Sequence, residues 1–148
     1  MNRLFNRKAN TYIYSCTLIL VLSIIMATAM YFAVTSMRIQ AIKKDVKNTL
    51  DSICTEFSIN SYGSVKQDTL YPEPMKKVEI INLSYSRLGF EDEDSIVLSD
   101  GTIMHRPVFE IGFENGIVIT ATFDIEDRLG IYRSNIFVTG GFFRRDEH

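Results

Sequence analysis

The sequence of 148 residues is poor in the residues that interrupt a helix or cross-link a fold. No glycine precedes Gly63 and no proline precedes Pro72, so nothing punctuates a helix over most of the first 60 residues. There is no tryptophan, and there are two cysteines. Cys16 and Cys54 fall on one predicted helix, 38 residues and about 57 Å apart. That separation excludes a disulfide between them, and with it a disulfide framework.

Charge is also missing from a long stretch of the chain. From Ala9 to Met37 there is no charged side chain over 29 residues. A bilayer core of about 30 Å needs about 20 apolar residues as helix. We therefore predict a membrane-spanning helix over residues 11–36, preceded by a short cytoplasmic tail at residues 1–10. The side chains expected to contact lipid are Leu18, Ile19, Leu20, Val21, Leu22, Ile24, Ile25, Met26, Met30, Phe32 and Val34.

Two other interpretations of this segment were weighed. A buried core helix is disfavoured because a domain of this size has too little other apolar material to cover it on every side. A cleaved signal peptide has some support, since Arg3, Arg7 and Lys8 form a basic n-region and residues 27–29 have the small-x-small form of a cleavage site. The apolar run continues to Val34, longer than such a peptide needs, so a retained anchor is favoured.

The net charge of −2 is a cancellation between two different parts. Residues 1–50 carry seven basic residues and one acid, and residues 51–148 carry nine basic residues and seventeen acids. This balance argues against nucleic acid as the main partner. Three basic residues precede the apolar segment and four follow it within residue 50, so the flanks are nearly even. We expect a single-pass cell-membrane protein with its N-terminus in the cytoplasm and its C-terminal domain outside.

Beyond Arg38 the apolar residues recur every three or four positions and fall within a sector of about 80°, which predicts an amphipathic helix over residues 37–59. The members of this apolar stripe are Ile39, Ile42, Val46, Leu50, Ile53 and Phe57. The stripe can pack on the chain's own downstream domain or form a seam with neighbouring helices. Both hold together if its upper part packs within the chain and its lower part contacts neighbours. In the leading interpretation Ile39, Ile42 and Val46 contact neighbouring helices.

Three lysines lie on the other faces of this helix, within about two turns of the membrane end: Lys43, Lys44 and Lys47. A solvated helix face is the simpler interpretation. Contact with anionic lipid headgroups is the alternative, because basic residues next to a membrane are attracted to them.

Residues 60–77 are predicted as a loop and residues 78–148 as an antiparallel β head. Predicted strands cover residues 78–85, 95–98, 102–106, 108–113, 117–123 and 131–139. Gly101 and the Asn115-Gly116 pair mark hairpin turns, and Pro107 separates the two hairpins because it cannot donate to a ladder. The expected fold is α+β, with one long N-terminal helix, transmembrane and then amphipathic, packed on a small antiparallel meander.

Signals for catalysis are weak. The sequence has no Gly-x-Ser-x-Gly, no phosphate loop, no dinucleotide fingerprint and no His-Glu-x-x-His. His105 lies in a predicted strand, where a structural role is favoured. The acidic residues at 91–94 and 124–127 lack the spacing and glycine of a calcium loop and are interpreted as solvated loops. We expect no enzyme activity, catalytic residue, cofactor, metal site or small-molecule substrate.

The layout of residues 11–36, 39–57 and 78–139 resembles that of pilin-like subunits. Because the chain lacks the peptidase-site glycine and the helix-start glutamate of the main type IV class, it is more similar to Tad-type (TadE-like) pseudopilins. The resemblance implies a structural subunit of a pilus, secretion or conjugation-type envelope machine. Its partners would be membrane lipid and other copies or related helical subunits. The alternative is a monomeric anchored β domain that binds a soluble or cell-wall partner.

Overall fold

The structure is a computed structural model that describes residues 2–65, 73–113, 116–127 and 130–143. Two helices are followed by five strands. The elements are α1 (Asn2–Val65), α2 (Glu73–Leu88), β1 (Ser95–Val97), β2 (Ile103–His105), β3 (Val108–Gly112), β4 (Gly116–Glu126) and β5 (Arg133–Phe143). The chain forms two units, residues 1–41 and residues 42–148, and the second unit is the head.

Helix α1 runs without a break through the apolar and amphipathic regions. It begins and ends beyond the predicted limits of residues 11 and 59. The physical reason is the absence of helix-breaking residues, because Gly63 is the first glycine and a helix tolerates a single glycine at a cost of about 1 kcal/mol.

The sheet is organised around β4, the central strand. Strand β5 pairs with one edge of β4 along its whole length, and β3 and β2 pair in succession with the other edge, all antiparallel. Pro107 is buried between β2 and β3. Because proline has no N–H to donate to the ladder, it separates these two strands. The predicted hairpins are confirmed, but the simple meander is not, because β2 pairs with β4.

The head has two layers. The inner face of the sheet consists of the odd-numbered residues of β4 and the even-numbered residues of β5. Among them, Ile119 and Phe123 of β4 and Ile136 and Val138 of β5 are buried. The part of α1 that lies in the head and α2 both pack against this face, as contacts of Leu50 and Tyr85 show. The predicted α+β fold, with a long helix on an antiparallel sheet, is confirmed.

The predicted strand at residues 78–85 is wrong, because these residues belong to α2. Their β-branched side chains suggested a strand, but the buried residues Ile80 and Ser84 are four apart, a helical spacing. Two helix signals flank them. Pro74 lies in the first turn, and Gly89 follows the last turn with φ +83. The N–H groups of Gly89 and Phe90 donate to the carbonyls of Ser86 and Tyr85, closing the helix in a Schellman motif.

The predicted loop at residues 60–77 is too long for the same reason. Helix α1 occupies residues 60–65 and α2 begins at Glu73, while residues 66–72 lie outside the described part of the chain. The head therefore contains a helix before its first strand. The last strand also differs from prediction, since β5 continues through Gly140 and Gly141 to Phe143.

Candidate functional site

Most of the exposed large apolar side chains among the described residues lie on α1 between Tyr12 and Met37. The exposed large apolar side chains of this stretch keep at least 47% of their surface uncovered, the value for Val34. In water each such side chain forgoes about 1.5–3 kcal/mol of burial free energy. This is the one helix, among the described residues, that is long and apolar enough to cross a membrane. Every side chain predicted to contact lipid is among those left exposed on it.

Several serine and threonine hydroxyl groups of this stretch are satisfied within the helix. Ser15, Thr17, Ser23 and Thr35 each donate a hydrogen bond to the carbonyl four residues earlier, at 2.8 to 3.0 Å. A polar group in hydrocarbon without a partner costs several kcal/mol, so these bonds make the segment compatible with lipid. Length, exposure and hydrogen bonding are thus all compatible with a helix that spans a membrane.

The apolar stripe is largely covered by the chain itself. Leu50 and Ile53 are fully buried in the head, and Phe57 is half-buried. Ile42 and Val46, which were expected to contact neighbouring helices, keep only 8% and 3% of their surface exposed. Those two side chains therefore offer little area to another subunit. Ile39 is half-buried.

The closest approach of α1 to the sheet is at β5. A Cβ placed on Gly140 would lie 2.5 Å from Leu50 Cβ and 3.0 Å from the backbone nitrogen of Asp51. Next to it, the Gly141 N–H donates to Asp51 Oδ1 at 2.9 Å, while Asp51 Oδ2 accepts from Lys47 Nζ at 2.8 Å. This contact was not predicted from the sequence. Two adjacent glycines inside a strand were the available signal, since they often mark close approach of another backbone.

Helix α2 is held to α1 and to the sheet by polar and aromatic contacts. Arg87 donates to Ser52 Oγ at 3.2 Å and forms an ion pair with Glu56. Tyr85 donates its hydroxyl proton to the carbonyl of Pro107 at 2.9 Å, and its ring packs edge-on against Phe109 with centroids 5.0 Å apart. The head is therefore a single packed unit in which both helices share one face of the sheet.

The outer face of the sheet carries a polar network. Asp124 accepts from Asn135 Nδ2 at 2.8 Å and from Arg133 at 2.9 Å. The Asn135 hydrogen bond, followed by that of Arg133, holds the pKa of Asp124 below its ordinary value of 3.8. The hydrogen bond to Asp124 in turn raises the pKa of Arg133. His105 Nε2 lies 3.4 Å from Glu126 Oε2 on this face. Asp124 and Glu126 thus belong to β4, and the prediction of a loop at residues 124–126 is wrong.

Three large apolar side chains are exposed on the same outer face. Val108 and Phe137 flank Thr122 in register across β3, β4 and β5, and they keep 66% and 64% of their surface exposed. Val97 on β1 keeps 71%. Scattered exposed apolar residues are common on protein surfaces, and this group shares the face with the charged side chains of the polar network.

No group of three or more His, Cys, Asp or Glu side chains is placed to hold a metal ion within the described ranges of the chain. Cys16 is exposed on α1 and Cys54 is buried. Residues 91–94 form an exposed turn before β1, as predicted.

Comparison with protein-family models, with curated proteins and with solved structures finds no match to this chain. Function is therefore inferred from the surfaces of the molecule itself.

Proposed function

We propose that this protein is a single-pass membrane-anchored structural subunit of the pilin-like kind, which assembles with other copies or related helical subunits in a pilus, secretion or conjugation-type envelope machine. The N-terminus lies in the cytoplasm and the head outside. The proposal includes no catalytic role and no cofactor.

One observation carries the proposal. The apolar stripe from Ile42 to Ile53 is buried in the head, whereas residues 12–37 are exposed apart from the half-buried Tyr31 and Thr35. Lipid can cover such a helix, and so can neighbouring helices. Ser23, Ala27 and Ala33 are small and allow backbones to approach closely in a bilayer. Contacts between subunits are therefore assigned to residues 12–37 and not to Ile42 or Val46.

Cysteine cross-linking in native membranes tests the assembly. The background is Cys54→Ala, and single cysteines are placed along residues 12–37, with native Cys16 as one position and Cys16→Ser in all the others. Packed helices should give covalent dimers with a period of about 3.6 residues, because one helix face meets the neighbour. Monomers at every position would overturn the assembly proposal. Val97→Cys, in the head, is the control for random collision.

A second candidate function is supported by the outer sheet face. In this alternative the protein is a monomeric anchored domain, and Val97, Val108 and Phe137 contact a soluble or wall-bound partner. The same scan then gives only monomers within the membrane. Phe137→Asp would disrupt function in this case, whereas the assembly proposal predicts that dimer formation through residues 12–37 is unaffected by it.

A further inference from the structure

The two ends of the sheet in the head differ in charge. At one end β3 and β5 finish and β4 begins, and at the other end β4 finishes and β5 begins. The contacts below place lysines at the first end (the lysine end) and carboxylates at the second (the acidic end).

Lys77 is placed at the lysine end by its contact with Phe113. Its Nζ lies 5.7 Å from the centre of the Phe113 ring, and Phe113 directly follows the last residue of β3. Gly112 pairs with Val118, which pairs with Gly141 in β5. The first turns of α2 therefore lie at the same end of the sheet as Gly141.

Lys43 and Lys44 are placed there by the direction of α1. Asp51 contacts Gly141 near this end. Five residues later, Glu56 forms an ion pair with Arg87 of α2. Tyr85, two residues before Arg87, contacts Phe109 and Pro107, which lie farther toward the acidic end. Since α1 thus advances toward the acidic end, residues before Asp51 lie at the lysine end.

The charges at the two ends are opposite. Lys43, Lys44 and Lys77 are exposed, while Lys47 is paired with Asp51. Asp45 and Glu79 offset part of this positive charge. At the acidic end lie Asp100 in the turn between β1 and β2, Asp124 and Glu126 at the end of β4, and Asp127 after it, with Arg133 paired to Asp124.

We propose that the lysine end binds anionic phospholipid headgroups of the membrane that holds residues 12–37, an inference that rests on the membrane-anchoring part of the proposed function. Lys43 and Lys44 follow Met37 by six and seven residues, about 10 Å of helix. A lysine can extend its ammonium group over such a distance toward a surface while its stem stays on the helix.

The absence of tryptophan provides a clean probe. Phe32→Trp places a single fluorophore in the apolar segment, on a side chain that is 62% exposed. The full chain is reconstituted in vesicles of phosphatidylcholine and phosphatidylglycerol in which one lipid or the other carries brominated acyl chains. Quenching by each lipid reports its local concentration around the helix. We expect phosphatidylglycerol to be preferred, and the preference to fade at about 1 M salt, where the Debye length is about 3 Å.

Substitutions locate the source of the preference. Lys43→Gln with Lys44→Gln should lower the preference by at least about fivefold, the effect expected of one lysine near an anionic surface. Lys43→Arg with Lys44→Arg keeps the charge and should keep the preference. Arg106→Gln with Arg133→Gln removes two charges far from the lysine end and should leave it unchanged.

The outcomes separate this inference from the proposed function. Quenching by neither brominated lipid would mean that the segment is not in the membrane, and the anchoring proposal would fail. Equal quenching by both lipids keeps the anchor but overturns headgroup binding. An equal loss with the Arg106 and Arg133 changes also overturns it, because the effect would then reflect net charge alone.

Discussion

Asp51 of α1 accepts a hydrogen bond from the backbone N–H of Gly141 in β5, with 2.9 Å between Oδ1 and the nitrogen. β5 is an edge strand, since it pairs with β4 alone among the described strands. Edge strands expose backbone groups that can pair with another chain. The Asp51 carboxylate occupies one such group where the helix crosses the strand, and Gly140 makes room for that crossing.

Gly140→Ala should destabilise the head by about 1–3 kcal/mol, because the new Cβ would lie 2.5 Å from Leu50 Cβ and 3.0 Å from the Asp51 backbone nitrogen. Thermal unfolding of the purified full chain, followed by circular dichroism, measures the loss. Gly112→Ala is the matched control, since a Cβ there has nothing within 4 Å and the change should stay within about 0.5 kcal/mol. Equal effects of the two changes would contradict the close packing at Gly140.

Asp51→Ala removes the acceptor for Gly141 and should cost about 1–2 kcal/mol. Asp51→Asn keeps an amide oxygen that can accept this hydrogen bond, so it should cost less. Lys47→Gln breaks only the exposed ion pair and should cost less than about 1 kcal/mol. Unfolding of the three variants under one condition tests this order. If Lys47→Gln proved as damaging as Asp51→Ala, the stabilisation would come from the ion pair.

Gly89→Ala should destabilise α2 by about 1–2 kcal/mol, because φ at this position is +83 and alanine avoids that region. Gly89→Asn should be milder, since asparagine adopts left-handed conformations more readily. Amide hydrogen exchange in the last turn of α2 and thermal unfolding both measure the effect. A larger loss with asparagine than with alanine would exclude backbone conformation as the cause.

Asn135→Ala should raise the pKa of Asp124 toward 3.8, because the Asn135 hydrogen bond is the largest cause that lowers it. A lowered pKa in the folded state stabilises the fold above pH 3.8, and this contribution is lost as the pH falls through the folded value. Nuclear magnetic resonance of the Asp124 carboxyl carbon measures the titration. Thr139→Ala, on the same face of β5, should leave it unchanged, and an equal shift there would count against the local cause.

Labelling tests the proposed orientation. In a chain with Cys16→Ser and Cys54→Ala, Phe137→Cys places an exposed thiol on the head. A membrane-impermeant maleimide should label it in intact cells, because the head lies outside. Asn6→Cys, in the N-terminal tail, should be labelled only after permeabilisation. The reverse pattern would place the head in the cytoplasm. Native Cys54 is unsuitable because it is buried.

The fold was predictable where the relevant signal is local. A 29-residue stretch without charge marked the apolar part of α1, and Gly101 and Asn115-Gly116 marked two hairpins whose paired strands the structure contains. The wrong prediction of a strand at residues 78–85 also came from a local signal. The β-branched composition favoured a strand, although Pro74 and Gly89 marked the two ends of a helix. Packing of Ile80 and Ser84 in the core overrides the intrinsic strand propensity of this segment.

The sequence by itself determined that an uncharged helix precedes an acidic head, since hydropathy and charge are properties of the residues in order. It also determined that Ile42, Val46, Leu50 and Ile53 share one helix face, because the period of a helix is constant. Only the tertiary structure decided that the chain's own head covers these four side chains. It also decided that β2 and β3 share one edge of β4 and that Asp51 meets Gly141 across 90 residues of sequence. Such choices depend on which surfaces fit together after folding, and no local pattern encodes that fit.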